Sequence, residues 1–162
     1  MKITHAALSL LVVNPSTWSS NWAWSLPLIV LTVILHVFGL LLINQKVEHV
    51  ENRVVGRYSY PVVFVVIIGG TALLATLLHG IEGIIWAGAY RLVGALPDNR
   101  SAVLYSLSAM TSYGHANLDL EQHWQLMGAL EALNGMLLFG LTTAFLFGII
   151  QRVWGLQSGR SR

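Results

Sequence analysis

The chain contains no cysteine, which excludes a disulfide framework and any thiolate metal or redox site. Charge is almost as scarce. Only 10% of residues are Asp, Glu, Lys or Arg, where a soluble domain carries about 25%, and that deficit excludes an ordinary water-soluble fold. The Lys and Arg residues are scattered, and with a net charge of +2 they give no clustered basic surface for nucleic acid. Missing too are the residue orders of common enzymes: a Ser/His/Asp arrangement, a glycine-rich phosphate loop, a His-Glu-x-x-His segment. The expectation is therefore a protein without catalytic residues, resident cofactor, metal site or small-molecule substrate. Repeats and low-complexity tracts are also lacking.

What the chain has is apolar surface. It is 55% hydrophobic with a mean hydropathy of +0.65, which predicts an all-α integral membrane protein. The 162 residues suffice for one membrane domain. Residues 1–25 open with Lys2 and an apolar stretch, then meet Asn14-Pro15-Ser16-Thr17-Trp18, a poor context for signal cleavage. They read as an uncleaved interfacial segment. Trp18, Trp22 and Trp24 either sit at the membrane–water boundary or pack on a neighbouring helix.

Residues 26–44 are expected to form the first transmembrane helix. Within them, residues 26–43 are apolar apart from His36 and meet the threshold of about 18 residues for a span. Pro27 is placed in the first turn, where proline is tolerated. A polar connection with Lys46, Glu48, Glu51, Arg53 and Arg57 follows, either a short interfacial loop or an extension of the helices into the aqueous phase. Residues 58–154 then make a second module. Its first helix covers 60–94; as one helix it is about 50 Å long and must tilt or project beyond the bilayer. A split near Gly80 is the alternative, but single glycines are weak breaks. Gly94, Pro97 and Asp98 mark its end. A helix of about twelve residues follows through Leu104, Leu107 and Met110, capped by Asp98 or Asn99 and too short to span. The last helix runs from near Trp124 to Trp154, and residues 155–162 form a basic tail.

The most informative stretch is 104–134. A short helix runs into Thr111-Ser112-Tyr113-Gly114-His115-Ala116-Asn117, and a full-length apolar helix starts a few residues later. Irregular backbone at membrane depth is tolerated only when buried in protein or lining a watery path. This is the pattern of a re-entrant pore loop, and it predicts a channel. Three full spans place Lys46, Arg53, Arg57, Arg152, Arg160 and Arg162 on one side and Lys2, Arg91 and Arg100 towards the other. The excess of basic residues makes the first side cytoplasmic. The N-terminus and the loop entrance are then outside and the C-terminus inside.

Residues 60–152 resemble the outer helix, pore helix, filter and inner helix of the tetrameric potassium-channel superfamily. The likeness is to its small bacterial two-pore-domain-like, or ion channel 2, proteins. The strongest local likeness is Leu130-Glu131-Ala132-Leu133-Asn134-Gly135-Met136-Leu137-Leu138-Phe139-Gly140, with Thr143-Ala144-Phe145-Leu146-Phe147 after it. The resemblance implies three transmembrane helices plus a pore helix and filter loop per subunit, a homotetrameric pore in a bacterial inner membrane, and a permeant monovalent cation such as potassium. The family filter reads Thr-x-Gly-Tyr-Gly then Asp; here Ser112-Tyr113-Gly114-His115-Ala116 then Asn117 stand in its place. The first glycine is kept. Alanine at the second resists positive φ by about 1–2 kcal/mol, and His115 replaces a tyrosine that braces the filter. Weak or altered selectivity is the expected consequence.

Several polar residues carry candidate roles. Thr111 to Asn117 form the ion pathway, and Ser112 offers its hydroxyl. His115 is either a brace or a pH-sensitive charge at the mouth. Asp119 and Glu121 either focus cations there or are solvated loop charges. Glu131 is expected to brace the pore helix; Asn134 faces a cavity or bonds another helix. Gly135, Gly140 and Gly148 allow bending or close packing. His79 and Glu82 share one helix face and pair structurally, two ligands being too few for a metal, while His36 packs between helices. The rival readings are a non-conducting structural or regulatory subunit, and an intramembrane enzyme or proton carrier using His79 and Glu82.

Overall fold

A computed structural model describes residues 15–54, 57–114 and 120–160, and the elements among them are all helices. They are α1 (Pro15–Val54), α2 (Tyr60–Leu92), α3 (Asn99–Met110) and α4 (Gln125–Arg160), with one 3₁₀ turn at Gln122–Trp124 before α4. The stretches Trp18–Val54, Tyr60–Leu92 and Gln122–Gly155 are each long and apolar enough to cross a bilayer. The chain is thus a membrane protein with three candidate spans. Such helices are stable in lipid because their backbone groups are satisfied within the helix.

One boundary differs from that read in the sequence. Residues 15–25 are not separate from the first span but continuous with it in α1, so Pro27 lies inside the helix instead of in its first turn. At the other end α1 runs on through the polar residues to Val54. By contrast α2 is a single helix without a break at Gly80. It ends where Gly94 takes a left-handed φ of 72°, with Ala95 N–H donating to Tyr90 O and Gly94 N–H to Arg91 O. This crossed pair is how a glycine closes a helix while satisfying its last carbonyls.

Packing divides into three layers. One apolar cluster joins Trp86, Tyr90, Leu96, Tyr105 and Met127. Another joins Leu40, Ile43, Ile67, Leu78, Ile149 and Val153. Between them lies a buried polar layer of Thr32, His36, Glu82, Ser106, Glu131, Asn134 and Thr142. Trp18, Trp22 and Trp24 are each partly exposed on α1. On the side away from α3, Arg152 reaches from α4 to Glu51 of α1 at 3.2 Å and to Asn44.

Candidate functional site

The short helix α3 begins beside the end of α2. Asp98 caps it, accepting from Ser101 N–H at 2.9 Å and from the Ser101 hydroxyl at 2.7 Å. Those bonds, the backbone one first, hold Asp98 below the usual carboxylate range. Arg91 adds a latch by donating to Asn99 Oδ1 and to Leu96 O. From this rim α3 descends between α2 and α4. A Cβ on Gly83 of α2 would lie 3.1 Å from Leu107, and one on Gly135 of α4 would lie 2.6 Å from Met110 Cα. The length of α4 between Gln125 and Gly135 is about 15 Å at 1.5 Å per residue. The C-terminal end of α3 therefore sits about that far below the start of α4, and the chain has returned to the rim by the turn Gln122–Trp124.

Glu131 holds α3 in this wedge. It is fully buried and accepts from Ser106 Oγ of α3 at 2.5 Å and from Tyr90 OH of α2 at 2.6 Å. The Ser106 hydroxyl also lies 2.7 Å from Gly83 O. This places Glu131 as a brace for the short helix. Gly135 lies one turn further along α4, and its missing Cβ is what admits the Met110 backbone. Among the described residues, a Cβ built at Gly140 or Gly148 meets no atom within 4 Å beyond its own stretch of helix, so packing among those residues does not account for these glycines. Asn134 is turned to α1, where its Nδ2 donates to Thr32 Oγ1 at 2.8 Å.

The loop after α3 has backbone of alternating hand. Ser112 has φ 54° and Gly114 φ 87°, a region that costs a residue with a Cβ roughly 1–2 kcal/mol. Thr111 N–H still donates to Leu107 O, and Tyr113 N–H to Ser108 O, which closes the helix end. Ser112 and Gly114 line an open recess with Tyr105, Ser108, Gly128 and Ala132, while the Tyr113 side chain is 88% exposed. Of the other expected pathway residues, Thr111 is exposed at the helix end and bonds Leu107 O. His115, Ala116, Asn117 and Asp119 lie outside the described residues. Glu121 is exposed at the start of the 3₁₀ turn.

A second polar group lies in the middle layer. His79 and Glu82, expected to pair, stand 3.3 Å apart. His36 joins them: its Nδ1 is 2.8 Å from Glu82 Oε1, and both histidines reach Thr142 of α4. Sequence reasoning missed Thr142, Thr32, Ser106 and Tyr90 as partners. It also missed Asn21, whose amide donates to His123 O and accepts from Met127 N–H, fastening α1 to the first turn of α4. Short hydroxyl and amide side chains in apolar helices carry no local signal of this kind. Only their placement amid apolar runs set them apart. The chain matches no protein-family model, no curated protein and no solved structure.

Proposed function

We propose that the protein is a tetrameric channel for monovalent cations, potassium or a less selective set, with α3 and the loop from Thr111 to Asn117 as its re-entrant pore element. The observation that carries this reading is the descent of α3 to Gly135 and the return of the chain to the same rim by Gln122. A short helix with that path brings its C-terminal, partly negative end to the middle of the bilayer. Such an end favours a cation by about 0.3–1 kcal/mol per helix. Left-handed backbone at Ser112 and Gly114 is compatible with carbonyls turned towards a common axis, the device by which filters replace an ion's water shell. One chain contributes one quarter of such a ring. The recess lined by Ser112, Gly114, Gly128 and Ala132 is open, and in this reading further copies complete it. With the loop entrance outside and the basic side cytoplasmic, cations pass down their gradient without chemistry.

The test is ion flux in liposomes containing the full chain, comparing potassium, sodium and chloride, alongside native mass spectrometry. Cation flux without chloride flux, carried by a four-copy species, is the expected result. Gly114→Ala keeps the fold, since open space surrounds the site, and lowers flux at least tenfold, since its φ of 87° resists a side chain. Absence of flux from a well-folded tetramer favours the non-conducting subunit. Flux unchanged by substitutions in Ser112 to Ala116 favours a carrier working through His79 and Glu82.

A further inference from the structure

Four side chains from three helices close on one another in the middle layer. His36 comes from α1, His79 and Glu82 from consecutive turns of α2, and Thr142 from α4. One ligand atom from each of His36, His79 and Glu82 lies within 4.8 Å of the other two. His36 Nδ1 is 2.8 Å from Glu82 Oε1, and His79 Nδ1 is 3.3 Å from Glu82 Oε2. Both Nε2 atoms meet the same oxygen, Thr142 Oγ1, at 3.1 Å for His36 and 3.0 Å for His79. His36 and Glu82 are fully buried, and the His79 side chain is 25% exposed.

The bonding of this group is incomplete in a specific way. Glu82 Oε2 is buried and has no hydrogen-bond partner among the described residues, although buried polar atoms are as a rule satisfied. Thr142 Oγ1 has two lone pairs and can accept from both imidazoles. When it does, each ring carries its proton on Nε2, and both Nδ1 lone pairs turn towards the Glu82 carboxylate. In that tautomer three acceptors face one another; in the other, His36 Nδ1–H donates to Glu82 Oε1 at 2.8 Å, and a bound cation takes the place of that proton. A cation relieves the repulsion of the first arrangement, and the hydroxyl that fixes both rings serves as the outer partner that metal-bound histidines require.

We infer that His36 Nδ1, His79 Nδ1 and Glu82 Oε2 form a binding site for a divalent cation of the zinc class. Two imidazoles and one carboxylate are a recognised zinc ligand set that leaves a fourth position for water. The nitrogen donors exclude calcium and magnesium, which take oxygen. Metal–ligand bonds of about 2.0–2.2 Å set tetrahedral ligand atoms about 3.3–3.5 Å apart. The His79 Nδ1–Glu82 Oε2 spacing of 3.3 Å already matches this, while His36 Nδ1 stands 2.8 Å from the other carboxylate oxygen, Oε1, so the carboxylate shifts slightly to share the ion. The bound ion ties α1 to α2 at mid-height and, through Thr142, to α4. This site stands independently of whether the pore conducts.

The test uses the full chain in detergent, stripped with a chelator and titrated with Co²⁺, with Zn²⁺ as competitor. One Co²⁺ per chain is expected, with the visible absorption of tetrahedral coordination, displaced by Zn²⁺; Zn²⁺ also raises the unfolding temperature. His79→Gln, at the partly exposed edge, weakens binding at least tenfold, and Thr142→Val weakens it roughly 10–100-fold through the outer shell. Replacing His5, His49, His115 and His123 with glutamine leaves it unchanged. Absence of tetrahedral bands in the unmodified chain overturns the site, whatever the variants do. So does equal stabilisation by Zn²⁺ of the unmodified chain and His79→Gln, or binding lost with the four other histidines.

Discussion

At the scale of single residues, buried polar side chains explain why the helices meet where they do. Glu131 takes one bond from α2 and one from α3; if the carboxyl goes, Tyr90 OH loses that acceptor while Ser106 Oγ keeps Gly83 O within reach. Ser106→Ala and Tyr90→Phe should each destabilise the fold by about 1–2 kcal/mol, measured by unfolding in mixed micelles. Because both bonds end on the same carboxyl group, the double variant should depart from additivity by about 0.5 kcal/mol or more. Strict additivity would show that Glu131 is not their common anchor. The pairing of His79 with Glu82 was readable from their spacing on one helix. The partnership with His36, 46 residues away from Glu82, was not.

At the scale of elements, α3 is the piece on which the functional reading turns. Its length and a cap at Asp98 or Asn99 were legible, because an N-cap and a short amphipathic run are local features; the structure decides for Asp98. Its position was not, since a Gly135 opposite Met110 reads in sequence as a hinge as easily as a contact. Gly135→Ala should cost about 1–3 kcal/mol through overpacking against backbone and should loosen α3, measured as faster hydrogen exchange from Asn99 to Met110. Unchanged exchange would argue that α4 hinges there instead. The cap adds a pH dependence. The folded carboxyl of Asp98 is held below its ordinary value. Its contribution is therefore present above about pH 3.9, the unfolded value, and is lost as pH falls through the lower folded value. Asp98→Asn keeps an acceptor for Ser101 and should remove that acid dependence of α3 exchange, while Asp98→Ala should destabilise α3 near neutral pH and differ less from the unmodified chain as pH falls.

For the whole molecule, the proposed pore has a charge that a single chain does not. In the proposed tetramer four copies of His115 would stand around one mouth, and on acidification their imidazoles would add up to four positive charges, which repel incoming cations. Conductance is expected to fall between pH 8 and 5.5, and His115→Gln to flatten the curve; a flat curve in the unmodified chain removes the histidine from the mouth. A fall that persists in His115→Gln places the sensing group elsewhere. The exposed Tyr113 and the open recess beside Ser112 and Gly114 belong to the same scale, as surfaces of one chain that further copies are expected to cover.

The sequence by itself determined the three runs long enough to span, the short helix α3 and the glycine that ends α2. These depend on run length, hydropathy and local backbone chemistry, which act between residues a few positions apart. Tertiary structure alone decided which polar groups meet: Asn134 with Thr32, Glu131 with Ser106 and Tyr90, His36 with Glu82 and Thr142. Inside an apolar bundle a polar side chain gains most from a partner on another helix. Which partner lies opposite is set by helix rotation and depth, and no stretch of neighbouring residues encodes either one.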